Sequence, residues 1–128
     1  MTVNRELFEK VKAHILEEPR RFYMGDYVTT PDAISPWEAP ACGTVACIAG
    51  WAYLLSVKRP SKDANAIAED RAVKLLGITL AESHCLFYAG SWPDEYSHRY
   101  IDAENALDYT GMAQAAADRI DHFLATGE

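Results

Sequence analysis

The chain predicts an all-α fold in one small domain, and three observations carry that prediction. Apolar residues recur at helical spacing through most of its length. The punctuation between them is helix punctuation: Pro19 after the first stripe, Gly77 after a later one, Gly127 after the last. Between these lies a run, Thr44 to Leu55, without a single charged residue. A helix that is apolar all round is a buried one. The expected architecture is therefore a buried central helix at about 44–56, surrounded by amphipathic helices. At 128 residues and 49% apolar, the chain is expected to form a single helical domain, 1–128, with its own core.

The first helix is expected over 2–18. Val3, Leu7, Phe8, Val11, Ile15 and Leu16 form its stripe, with Glu6, Glu9, Lys10 and Glu17 between them. Thr2 or Asn4 caps its start. His14 lies beside the stripe and reads as a solvated or edge histidine. Residues 20–41 have no helical period, and Pro31, Pro36 and Pro40 break any helix there. A long irregular loop of this kind is uncommon inside a compact domain and often functional. A strand at 22–28 would lack a partner. Tyr27 and Trp37 are expected to anchor this loop near Cys42.

In the central helix, Cys47, Trp51 and Leu55 share one face, and Ala46, Gly50 and Leu54 another. The small residues Ala46 and Gly50 make a flat strip where a second helix can approach. The next helix, 64–76, is capped by Ser61 or Asp63 and ended by Gly77. Thr79 with Glu82 has the spacing of a capping box and starts a short helix over 80–88. Pro93 suits the first turn of another short helix, 93–101, which aligns Trp92, Tyr96 and Tyr100. The last helix begins near Thr110, with Met112, Ala115, Ala116, Ile120, Phe123 and Leu124 inward. Trp51, Cys47, Leu54, Ile120 and Leu75 are the residues expected to be largely buried.

Charge narrows the function classes. Lys plus Arg is 12 against 19 Asp plus Glu, a net −7. A general phosphate-backbone binder needs a basic footprint, so direct nucleic-acid binding is not expected. A run of about 12 apolar residues falls short of the ~20 that span a bilayer, so no membrane association is expected. Three cysteines without a framework, and a charged N-terminal segment, point to a cytoplasmic protein.

The run 42–51 reads Cys-Gly-Thr-Val-Ala-Cys-Ile-Ala-Gly-Trp. It resembles a C-G-T-x-x-C-x-A-G-W motif of small uncharacterised bacterial and bacteriophage proteins. The order of features along the rest of the chain is similar: a helix ending in Glu-Glu-Pro, a Pro-rich aromatic loop, then Leu75-Leu76-Gly77-Ile78-Thr79, Leu86-Phe87 and a terminal helix. That resemblance implies an architecture and a phage or mobile-element setting. It implies no catalytic residues.

The residues themselves suggest one chemistry. A helix starting near Thr44 would point its free N–H groups and positive end at Cys42, an environment that favours the thiolate. Cys42 is then the candidate nucleophile of a hydrolase or transferase. The backbone N–H groups of Gly43 and Thr44 are its candidate oxyanion donors. The base would be His84, His98 or His122, from another element. The alternative places no chemistry here, with Cys42 a small residue packed at a helix start. A metal site is not expected, because no paired second motif follows Cys42 and Cys47. Asp94–His98 and Asp118–His122 have i, i+4 spacing and read as surface ion pairs. Taken together, the expectation is an interaction or regulatory protein without cofactor, acting on a protein partner. The cysteine enzyme is the alternative. An acidic decoy of a nucleic-acid-binding protein is a weaker one.

Overall fold

The computed structural model describes residues 3–24, 28–29, 45–56 and 64–128. It is all-α apart from one minimal strand pair. Helix α1 spans Arg5–Glu17, α2 Ile48–Ser56, α3 Ala64–Leu76, α4 Leu80–Phe87, α5 Asp94–Asn105 and α6 Tyr109–Thr126. Strands β1 (Val28–Thr29) and β2 (Val45–Ala46) pair antiparallel, Val28 opposite Ala46 and Thr29 opposite Val45. Phe22 adds a bridge to Ala46 from the other side.

Local chemistry sets most of the boundaries. Asn4 caps α1 by accepting the Leu7 N–H at 3.1 Å. Its amide also donates to the Leu75 carbonyl at 3.0 Å, which ties the start of α1 to the end of α3. Pro19 cannot continue α1 and opens a 3₁₀ turn over Pro19–Arg21. Thr79 and Glu82 form the capping box: Thr79 Oγ1 accepts from the Glu82 N–H, and Glu82 Oε1 from the Thr79 N–H. Asp108 caps α6 and Gly127 ends it in the left-handed conformation at φ 77°.

The core forms around α2. Every residue from Ile48 to Leu54 is buried, Trp51 completely. Helix α2 packs on α3 and α1, α1 on α6, and α6 on α5. Phe8 meets Phe123 across α1 and α6, with ring centroids 5.5 Å apart. The indole N–H of Trp51 donates to the Arg21 carbonyl at 2.9 Å, so the largest core side chain keeps its polar atom satisfied. Trp92, just before α5, and Tyr100 of α5 meet edge to face, and both are buried.

Four expectations are corrected. Helix α2 begins at Ile48, four residues later than Thr44, because Val45 and Ala46 are drawn into a strand with Val28 and Thr29. The strand segment near 28 does have a partner, and it is that same pair. Leu75 is only half-buried, while Leu76 takes the fully buried position. Of the two readings of His14, the solvated one is excluded: it is half-buried at the edge of the core, its ring centroid 4.2 Å from that of Trp51. The capping roles of Ser61 and Asp63, and the anchors Tyr27 and Trp37, fall outside the described residues.

Candidate functional site

A helix N-terminus offers three or four free N–H groups, and whatever precedes it receives them. At α2 that residue is Cys47. Its sulfur accepts the Gly50 N–H at 3.5 Å and its carbonyl accepts the Trp51 N–H at 2.9 Å. Cys47 thus stands where Cys42 was expected relative to the helix start. The dipole effect fades within the first turn, so the later start of α2 moves the favoured position to Cys47. That thiol is 1% exposed, and no substrate reaches it. Cys42, Gly43 and Thr44 lie outside the described residues.

The three candidate histidines sit on three different helices. His84 is exposed on α4, its ring 6.0 Å from Tyr88 in an edge arrangement. His98 is exposed on α5. His122 is half-buried on α6, with Nδ1 3.3 Å from the Tyr96 hydroxyl. The expected pairing of Asp118 with His122 is replaced: Asp118 accepts from Arg99 Nη2 at 2.7 Å and from Gln114 Nε2 at 2.9 Å. Tyr96, on the neighbouring helix α5, takes His122 instead. Among the described residues, no three His, Cys, Asp or Glu side chains gather to hold a metal.

Two basic groups pack on or in the core: Arg119, which sequence reasoning did not single out, and His14, read there as a solvated or edge histidine. His14 is half-buried, its ring 4.2 Å from that of Trp51. Arg21 stands over the same indole at 5.2 Å. His14 Nε2 is buried without a hydrogen-bond partner. Burial lowers the His14 pKa below the usual histidine value, and the Arg21 charge lowers it further. Glu18 and Glu17 pull the other way.

Arg119 is fully buried. Its Nη2 donates to the Cys85 carbonyl at 3.2 Å and to the main-chain oxygen of Glu128 at 2.6 Å. Nε and Nη1 are buried without partners. Burial lowers the Arg119 pKa, opposed by the Cys85 thiol and the Tyr96 hydroxyl. Both groups had a signal in the sequence. Arg119 is seven residues after Met112 and falls on its helix's apolar stripe, while His14 lies beside the stripe of α1. A basic residue at a stripe position marks a buried polar group in need of an explanation.

The outer face of α4 is built differently. Leu80 is 62% exposed, His84 is exposed, and Tyr88 is 45% exposed, at i, i+4 and i+8. Glu69 of α3 accepts the Tyr88 hydroxyl at 3.3 Å and helps hold that ring outward. Comparison with known protein families, curated proteins and solved structures finds no match for this chain.

Proposed function

We propose that this domain is an interaction module, binding a protein partner through the outer face of α4. The observation that supports it is the Leu80, His84 and Tyr88 stripe. Single exposed apolar residues are ordinary, but here Leu80 and His84 on the outer face of α4 are followed by Tyr88 at its C-cap, whose ring meets that of His84, a run of three large exposed side chains. Aromatic residues held in one rotamer lose little entropy on binding, and the Glu69 contact restrains Tyr88. On this reading the protein needs no cofactor and works in the cytoplasm. Its setting is the phage or mobile-element one implied by the motif resemblance.

The test is a double substitution, Leu80→Asp with Tyr88→Ala, compared with the wild type in affinity capture from host-cell extract. Both positions are exposed, so the variant should keep its helical circular dichroism. The wild type should retain a defined protein that the variant loses. Capture of the same proteins by a correctly folded variant would remove α4 as the binding face.

A further inference from the structure

Opposite charges inside one small cavity attract each other. At one cavity of this protein two of them stay apart. It has a volume of about 270 Å³ and lies between the start of α1, the start of α4 and the end of α6. Arg5 and Glu82 both line it, and among the described residues no ion pair joins them.

Each charge is held by one contact and keeps capacity to spare. Arg5 Nη2 donates to the Leu124 carbonyl at 3.0 Å. A guanidinium is a fork of several N–H donors. The other donors of Arg5 have no partner among the described residues. Glu82 Oε1 accepts the Thr79 N–H at 2.8 Å, as half of the capping box. That contact fixes the side chain and leaves Oε2 without a partner among the described residues. The rest of the lining is apolar. Phe123 is buried, and Val3 and Leu124 are half-buried against the core.

A ligand that answers all of these features is small, apolar at one end and doubly charged at the other. A carboxylate suits the forked guanidinium, and an ammonium suits a carboxylate. The volume falls just below the roughly 300–1,000 Å³ of pockets for drug-sized molecules. We propose that this cavity binds a free α-amino acid with an aliphatic side chain, of about the size of leucine. Arg5 takes the α-carboxylate and Glu82 Oε2 takes the α-ammonium. The side chain lies on Val3, Phe123 and Leu124. Both charged groups of an α-amino acid hang on one carbon, which suits two opposite charges that share a small cavity without pairing. A peptide N-terminus would satisfy Glu82 and leave Arg5 without an anion. A fatty acid would do the reverse. This inference does not rest on the α4 protein-binding face.

The test is an NMR titration of the isotope-labelled full chain with L-leucine at pH 7. The amide signals of Val3, Leu124 and Gly127 should shift and saturate, with a dissociation constant on the order of 1 mM or below. Isocaproate lacks the ammonium and L-leucinamide lacks the carboxylate. Each should bind at least about ten times more weakly, as loss of one charge-assisted contact predicts. Arg5→Gln and Glu82→Gln should weaken L-leucine binding by a similar factor. Both variants should keep their helical circular dichroism, because Arg5 is exposed and glutamine serves a capping box as glutamate does. No saturable shift at these amides up to roughly 20 mM L-leucine would overturn the proposal, and that arm needs no variant. Equal binding of L-leucinamide would overturn it in favour of a site for amines or peptide N-termini. Equal binding of isocaproate would overturn it in favour of a site for carboxylic acids.

Discussion

Two basic side chains pack on or beside the apolar stripes of their helices, and the fold handles them in opposite ways. His14 is laid against Trp51 at the centre, next to Arg21. It can shed its proton and become a neutral aromatic, so burial costs it little near neutral pH. Arg119, between α4, α6 and the chain end, has no neutral form to retreat to. It is held instead by the Cys85 carbonyl and the main-chain oxygen of Glu128. A titratable group adjusts itself to a core position. A permanently charged one obliges its surroundings to adjust, and here they do so incompletely.

The centre itself provides the largest contrast. Trp51 is completely buried, stacked by His14 and bonded to the Arg21 carbonyl. Trp51→Ala removes that burial, leaves a cavity and strips His14 of its stacking partner. It should cost about 3–5 kcal/mol in chemical denaturation. A loss under about 1 kcal/mol would show that α2 does not hold the core together.

Arg119 should respond in the other direction. Arg119→Met keeps a long apolar stem and removes a buried charge whose Nε and Nη1 have no hydrogen-bond partner among the described residues. Replacing buried charges by apolar residues is often neutral or stabilising, by about 1–4 kcal/mol. The Cys85 and Glu128 main-chain oxygens lose a donor, which offsets part of that gain. The net expectation is a gain of about 1–2 kcal/mol in the same denaturation measurement. A loss of comparable size would mean that the two main-chain contacts outweigh the cost of burying the charge.

The same two residues show what could be read without a structure. Helix ends governed by nearby residues were legible. Asn4, Gly77, the Thr79–Glu82 box and Gly127 each act within a few positions of themselves. Stripe positions were legible too, and by that arithmetic Arg119 falls inward as surely as Ile120, with His14 beside its stripe and half-buried. Their polarity hid them, since composition counts them as surface. The start of α2 was not legible. Val45-Ala46-Cys47-Ile48 suits a strand as well as a helix, and the choice is made by pairing with Val28 and Thr29, about 17 residues away in the chain. That distant pairing removes the argument from a helix starting at Thr44 on which the predicted field at Cys42 depended; Cys42 itself lies outside the described residues. Positions of the three histidines relative to one another were likewise set by packing, which is why spacing favoured Asp118 for His122 and α5 supplied Tyr96.

The smallest expected effect concerns His14, and its sign follows from the direction of its shift. Burial, then Arg21, hold its pKa in the folded protein below the unfolded value of about 6.5. Above that value both states are neutral at this position, and His14 leaves stability unchanged with pH. As pH falls below it, the unfolded chain takes up a proton that the folded chain refuses, so stability declines. The decline ends once pH passes the folded pKa and both states are charged. Glu17 and Glu18 narrow the interval by favouring the charged ring, and the partial exposure of His14 screens the rest. His14→Phe keeps an aromatic ring on Trp51 and removes the proton. Denaturation midpoints should fall from pH 7 to pH 5 more steeply in the wild type than in His14→Phe. Parallel pH profiles would place the acid sensitivity elsewhere, and would mean that His14 titrates as freely in its stack on Trp51 as it does in water.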